Sequence, residues 1–94
     1  MPNRFYRRRW EETRGDEFDD WGGSVWYFEV RDDGWPVRQV EVYDAGRVSR
    51  YGAGREEDRY GGLSQASLYD SDEDWGPFEI TAAEFERVWD SDGG

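Results

Sequence analysis

The stretch Ser24-Val25-Trp26-Tyr27-Phe28-Glu29-Val30-Arg31 decides the fold. It is aromatic or β-branched almost throughout and holds almost no helix former, so it specifies a strand. Side chains alternate across a strand. Trp26, Phe28 and Val30 therefore share one face, and Val25, Tyr27 and Glu29 share the other. Both faces are partly apolar. Such a strand belongs in the middle of a sheet.

The flanking residues extend this strand into a meander. Asp32-Asp33-Gly34 is a turn sequence, with Gly34 suited to positive φ. Residues 37–43 (Val-Arg-Gln-Val-Glu-Val-Tyr) form the next strand, with Val40 and Val42 expected to point inward. Asp44-Ala45-Gly46 is a second tight turn, and Arg47 to Tyr51 gives a short strand after it. Upstream, residues 4–12 read as a first strand, with Tyr6, Arg8 and Trp10 on one side and Phe5, Arg7 and Arg9 on the other. Residues 13–23 are acidic and end in Gly22-Gly23, which signals a loop. Residues 52–64 combine Gly52, Gly54, Gly61 and Gly62 with a charged cluster from Arg55 to Arg59, a loop or hairpin crossing. Residues 65–79 read as irregular and acidic.

The C-terminal segment carries the sharpest local signals. Thr81 with Glu84 three residues on is a capping box, and Ile80 and Phe85 occupy the hydrophobic-staple positions around it. Phe85, Val88 and Trp89 form an apolar stripe. A helix of about ten residues is not stable alone, so it must pack. Its expected seat is a sheet face carrying Phe28, Val30, Val40 and Val42. The expectation is an α+β fold: an antiparallel β-meander of about four strands with one C-terminal helix packed on one face. Residues 1–94 make one domain, with 1–4 and 90–94 frayed.

Composition narrows the function. The chain has 94 residues and a formal net charge of −11, from 23 Asp and Glu against 12 Arg. That charge repels nucleic acid and anionic lipid and favours basic partners or divalent cations. Aromatics reach 18%, with six Trp, against a mean hydropathy of −1.14. So many aromatics speak for a folded core despite the charge. Without Cys there is no disulfide framework, and without His the commonest general base and metal ligand is missing. The absence of Lys excludes Schiff-base chemistry and a P-loop lysine. No secretory pattern follows the N-terminal arginines and no run approaches a membrane span, so the expected location is the cytoplasm.

Glu29 to Tyr43 (Glu-Val-Arg-Asp-Asp-Gly-Trp-Pro-Val-Arg-Gln-Val-Glu-Val-Tyr) and Ile80 to Trp89 (Ile-Thr-Ala-Ala-Glu-Phe-Glu-Arg-Val-Trp) resemble a family of small bacterial proteins of unknown function. Its members carry a segment close to Glu-Val-Arg-Lys-Val-Glu-Val and end in a helix of this kind. Gly62-Leu63 and the acidic link before the helix are similar too. The resemblance covers about residues 24–89, with Gln39 standing where the family segment has Lys. It implies a compact domain of one sheet and one helix, and no established activity.

Several residue groups compete as sites. Asp70-Ser71-Asp72-Glu73-Asp74 resembles the opening of a calcium loop, but Trp75 and Thr81 stand where such a loop needs Gly and a bidentate Glu. A solvated loop ahead of a helix is the favoured reading, and no metal site is assigned. Arg7-Arg8-Arg9 beside Phe5, Tyr6 and Trp10 has the make-up of a nucleic-acid patch, which the net charge argues against. Carboxylates are too abundant for any pair to single out acid–base chemistry, and the usual nucleophile–base sets are missing. No enzyme and no catalytic residue is therefore expected. Trp26, Phe28, Phe85 and Trp89 are assigned to the core. Trp21 and Trp35 are harder to bury: exposed aromatics ringed by charge make protein-binding hot spots, and capping the edges of a small core is the equal alternative.

The resulting expectation is a small acidic protein-interaction domain, immunity- or inhibitor-like, that occupies a basic protein surface. Its contact residues are expected among Asp19, Asp20, Trp21, Trp35, Asp70, Asp72, Glu73 and Asp74, with Asp16 and Glu17 extending the acidic edge. The alternative is a small-ligand or metal-binding accessory module in which Arg31, Arg38, Arg50 and Tyr51 line a pocket for a planar or anionic ligand. No cofactor, nucleic acid or membrane enters either reading. Pairing of sheet edges between chains leaves a homodimer open.

Overall fold

The computed structural model describes residues 3–11, 19–52, 54, 57–58, 61–63, 67–70 and 74–90. Four strands, β1 (Arg4–Trp10), β2 (Ser24–Val30), β3 (Pro36–Tyr43) and β4 (Val48–Tyr51), run antiparallel in chain order as a meander. β5 (Glu57–Asp58) and β6 (Gly61–Gly62) form a separate two-stranded ladder. β7 (Glu79–Ile80) pairs with the outer edge of β1, and α1 (Ala82–Trp89) follows it. The large sheet has the order β4-β3-β2-β1-β7, which places the aromatic strand β2 at its centre. The expected meander and helix are both present, and β7 adds one short strand. Gly34 (φ 83°) and Gly46 (φ 96°) turn the two hairpins that follow β2 and β3, in the left-handed region that favours glycine.

Register decides which side chains share a face. Tyr6, Phe28, Gln39 and Tyr51 lie directly across from one another, and so do Arg7, Tyr27, Val40 and Arg50. Phe28 and Val40 therefore face opposite ways. The expected helix seat mixed residues from two faces and is corrected here: α1 lies on the face of Phe5, Arg38 and Val40. The cause is the parity of the β2–β3 pairing. Phe28 opposite Gln39 joins even-numbered residues of β2 to odd-numbered residues of β3, so Val40 and Val42 fall on the side of Val25 and Tyr27.

On that side Phe85 is fully buried, its ring centroid 5.4 Å from Phe5 and 6.1 Å from Trp89. Arg38 fastens the helix. Its guanidinium lies 4.9 Å from the ring centroids of both Phe85 and Trp89. It also pairs with Glu29 on β2 and Glu86 on α1. Arg50 Nε donates to the Trp89 carbonyl at 2.9 Å, satisfying one of the acceptors left over at the helix C-terminus. At the other end Thr81 Oγ1 accepts from the Glu84 N–H at 3.1 Å, the cap that the sequence reading placed there.

The opposite face carries Tyr6, Phe28 and Val30, and Leu68 and Trp75 cover them. Trp75 meets Tyr6 and Phe28 edge-on, with centroids 6.1 and 5.7 Å apart. The segment expected to be irregular thus supplies a second cover, built on short 3-10 turns at Leu68–Asp70 and Gly76–Phe78. β7 then pairs Ile80 with Phe5 along the β1 edge and delivers α1 to the far side. Among the described residues no helix is long and apolar enough to cross a membrane.

Phe85→Ala is expected to cost about 3–5 kcal/mol and Thr81→Ala about 1 kcal/mol, read from urea midpoints at constant m. A Phe85→Ala loss below about 1 kcal/mol would show that α1 is not packed on the sheet.

Candidate functional site

The turn between β2 and β3 anchors the candidate site. Arg31 N donates to the Trp35 carbonyl at 3.0 Å, and Trp35 N to Asp33 Oδ1 at 2.9 Å, so the turn is fixed by its own groups. Residues 67–70 dock on it. Leu68 N donates to the Gly34 carbonyl at 2.9 Å, and the Ser67 hydroxyl donates to the Asp33 carbonyl. Ser67 Oγ accepts in turn from Tyr69 N at 3.1 Å. A Cβ on Gly34 would sit 2.5 Å from Ser67 Oγ and 2.6 Å from the Tyr69 ring. The close approach therefore demands glycine as much as the φ angle does.

Docking brings Tyr69 to Tyr6. Their hydroxyls share a hydrogen bond of 2.7 Å and their rings meet edge-on at 6.3 Å. Asp74 begins the next turn by accepting from Gly76 N at 2.9 Å. Arg4, Tyr6, Asp32, Tyr69, Asp74 and Trp75 together line an open cleft of about 410 Å³. A neighbouring hollow of about 320 Å³ is lined by Asn3, Arg31, Asp32 and Asp33. Asp32 borders both.

Three groups at this end have protonation equilibria shifted by their neighbours. Burial, together with the hydrogen bond to Tyr6, pushes the Tyr69 phenol up to about 12. The Trp35 N–H, helped by Arg31, holds the Asp33 carboxyl below the usual carboxylate range. Arg4 is raised, first by its contact with the Tyr6 hydroxyl and then by Glu79, 3.9 Å away. Each of these shifts moves a group away from neutrality, where a general acid or base works. Among the described residues no three His, Cys, Asp or Glu side chains come together to hold a metal ion.

The residues anticipated as contacts divide between the two ends of the sheet. Trp35, Asp70 and Asp74 lie at the β2–β3 turn end. Asp19, Asp20 and Trp21 form a 3-10 turn at the other end, where Trp21 O accepts from Ala45 N at 3.1 Å. The Trp21 ring packs 5.1 Å from Tyr43, with the Arg47 guanidinium 5.5 Å away. The length of β2, roughly 20 Å, separates the two groups, so they do not make one patch. Asp16, Glu17, Asp72 and Glu73 lie outside the described residues.

The alternative set also separates. Arg38 and Arg50 fasten α1, while Tyr51 is fully buried on the opposite face, across from Gln39. Consecutive strand residues point to opposite sides, so Arg50 and Tyr51 cannot line one pocket. Arg31 stands exposed at the β2–β3 turn with its Nη2 3.3 Å from Asp33. The N-terminal arginines split in the same way. Arg8 lies over Trp10 and Phe78, at 4.4 and 4.9 Å, and Arg9 pairs with Asp44 on the other face, at 2.6 Å. Arg4, Tyr6, Asp32 and Tyr69 were not anticipated as site residues. The Asp-Asp-Gly turn was visible, but no local pattern says that residue 69 lands on residue 34.

The chain belongs to the family described as a domain of unknown function (DUF6881), whose match covers residues 16–94. That span holds β2 to α1 and the cleft residues Asp32, Tyr69, Asp74 and Trp75, while β1, with Arg4 and Tyr6, lies before it. No curated protein and no solved structure matches the chain.

Gly34→Ala is expected to destabilise the protein by about 2 kcal/mol or more, because left-handed backbone and the Tyr69 collision both penalise it. Gly46→Ala shares the positive φ but meets nothing within 4 Å, and should lose only about 1 kcal/mol. Equal losses in urea unfolding would contradict the docking of Tyr69 on the turn. The phenol also sets an alkaline limit. Folded Tyr69 keeps its proton to about 12 against 10.0 for a free tyrosine, so its contribution is complete below pH 10 and is lost as the pH rises toward 12. Titration at 295 nm should show a late-ionising component that is reduced in Tyr69→Phe.

Proposed function

We propose that this chain is a small acidic interaction domain that docks on a basic protein surface, in the manner of an inhibitor or immunity protein. Its contact face is the end of the sheet at the β2–β3 turn. One observation carries the reading. Tyr69, 42% exposed, is the one large hydrophobic side chain left exposed among the described residues. It stands beside a turn whose Asp32 and Asp33 are exposed and whose Trp35 is half-buried, with Asp70 and Asp74 exposed nearby in the chain. An aromatic anchor ringed by charge is how a few residues come to carry most of an interface's affinity. The carboxylates, backed by the net charge of −11, would steer a cationic partner, and the tyrosine would lengthen its stay. The direction of the Tyr69, Asp33 and Arg4 shifts supports binding over proton transfer. A cysteine-free chain suits the reducing cytoplasm as its workplace.

A second reading, a small-ligand module, draws on the cleft itself, since 410 Å³ falls within the range of roughly 300–1,000 Å³ usual for ligand sites. A metabolite panel that raises the melting temperature without any cationic component would favour it.

Titration of the ¹⁵N-labelled protein with hexa-arginine, against hexa-glutamate as control, tests the contact face. Shifts are expected to cluster at Asp32, Asp33, Trp35, Tyr69, Asp70 and Asp74, and to fade in about 0.5 M salt as screening shortens the reach of the charges. Shifts centred on Asp19 to Trp21, or spread evenly over the acidic surface, would refute it.

A further inference from the structure

We infer that the cleft between Tyr6, Tyr69 and Trp75 is a seat for a single arginine side chain presented by the partner. The inference rests on the interaction reading above and adds the chemistry of its central contact. Two carboxylates border the cleft, Asp32 from the β2–β3 turn and Asp74 from the turn before β7. Asp74 commits Oδ1 to the Gly76 N–H, which fixes the orientation of its carboxylate. The walls are aromatic. Tyr6 and Trp75 are buried and edge-on to each other, so they make a fixed floor, and the exposed Tyr69 is the ring left for a guanidinium to stack on. The Tyr6 and Tyr69 hydroxyls add acceptors at the mouth.

Flat rings with carboxylates at the rim suit a guanidinium better than an ammonium. A guanidinium is planar and weakly hydrated and stacks on aromatic faces, whereas an ammonium is a compact, strongly hydrated charge. The molecule treats its own arginines in this way. Arg38 lies over Phe85 and Trp89 while pairing with Glu29 and Glu86. Arg8 lies over Trp10, Trp75 and Phe78, so Trp75 already receives one guanidinium, 5.2 Å from its ring centroid. Arg4 shares the rim: it meets the Tyr6 hydroxyl and lies 3.9 Å from Glu79, with its side chain 61% exposed, so an incoming arginine would lie beside it. Its charge disfavours any incoming cation, so the gain from stacking, which lysine lacks, decides between the two.

The probes are N-acetyl-arginine methylamide, the lysine analogue and the neutral citrulline analogue, followed by shifts at the Trp75 indole and Gly76 amides. Arginine should give saturable shifts there, lysine should bind several-fold more weakly, and citrulline should not bind. Asp32→Asn with Asp74→Asn should weaken arginine about tenfold or more, the effect of losing charge-assisted pairs. Asn keeps the oxygen that accepts from Gly76, and Asp32→Asn alone serves if the double variant is misfolded. Asp20→Asn, at the far end of the sheet, should change nothing. Equal binding of citrulline, shifts away from Trp75, or an unchanged affinity in the folded Asn variants would overturn the seat. If hexa-arginine still maps to the turn end while the single arginine misses the cleft, the contact face stands and the seat falls. If hexa-arginine maps elsewhere, both fall.

Discussion

The pairing of β2 with β3 is the constraint from which the rest follows. Phe28 opposite Gln39 and Tyr27 opposite Val40 leave the sheet apolar on both sides. A sheet of that kind must be covered twice, because bare aromatic and aliphatic surface costs about 25 cal/mol for each Å² left in water. A single short helix cannot do both. The C-terminal third does it by wrapping around the β1 edge: Leu68 and Trp75 on one face, β7 along the edge, α1 on the other. The cleft at the β2–β3 turn is a by-product of the first cover. Leu68 reaches its place by hydrogen-bonding Gly34, and that brings Tyr69 to the end of the sheet.

Arginine is the second theme. The chain carries no lysine, and its arginines pack as flat apolar plates as well as charges. Arg38 and Arg50 both bind α1, one through rings and carboxylates, the other through a carbonyl. Arg8 fills the space between Trp10, Trp75 and Phe78. These contacts draw cations into the body of a strongly anionic chain, where they offset the mutual repulsion of its acids. The carboxylates left over are mostly at the surface, with Asp32, Asp33, Asp70 and Asp74 exposed at the end of the sheet that holds Tyr69.

The parts of this architecture that local chemistry controls were legible in the sequence. The aromatic strand, the Gly34 and Gly46 turns, and the Thr81 cap with Phe85 beneath it each follow from a few adjacent residues. The helix seat was not legible, because it depends on whether β2 and β3 pair with odd or even offset, and the loop between them does not announce it. The second cover was hidden for another reason. Leu68 and Trp75 are seven residues apart in an acidic stretch and show no period, so their burial is set only by the tertiary contact with Tyr6 and Phe28. Arg38 and Arg50 illustrate a third kind of ambiguity. An arginine between apolar strand residues reads the same whether it faces water, a ligand or a helix. Trp35 was flagged as hard to bury, and it is half-buried beside the cleft, whereas Tyr69 had no sequence feature to set it apart.

The wrapping of the C-terminal third is tested most directly by nuclear Overhauser contacts in the ¹³C- and ¹⁵N-labelled protein. The structure predicts cross-peaks from the Tyr69 ring to the Gly34 α-protons, which ring current should also displace, together with Phe85 ring contacts to Phe5. Phe85 contacts to Phe28 or Val30 in place of Phe5, or a Gly34 untouched by Tyr69, would place the helix on the wrong face or detach the segment that builds the cleft, and would contradict the architecture and the site alike.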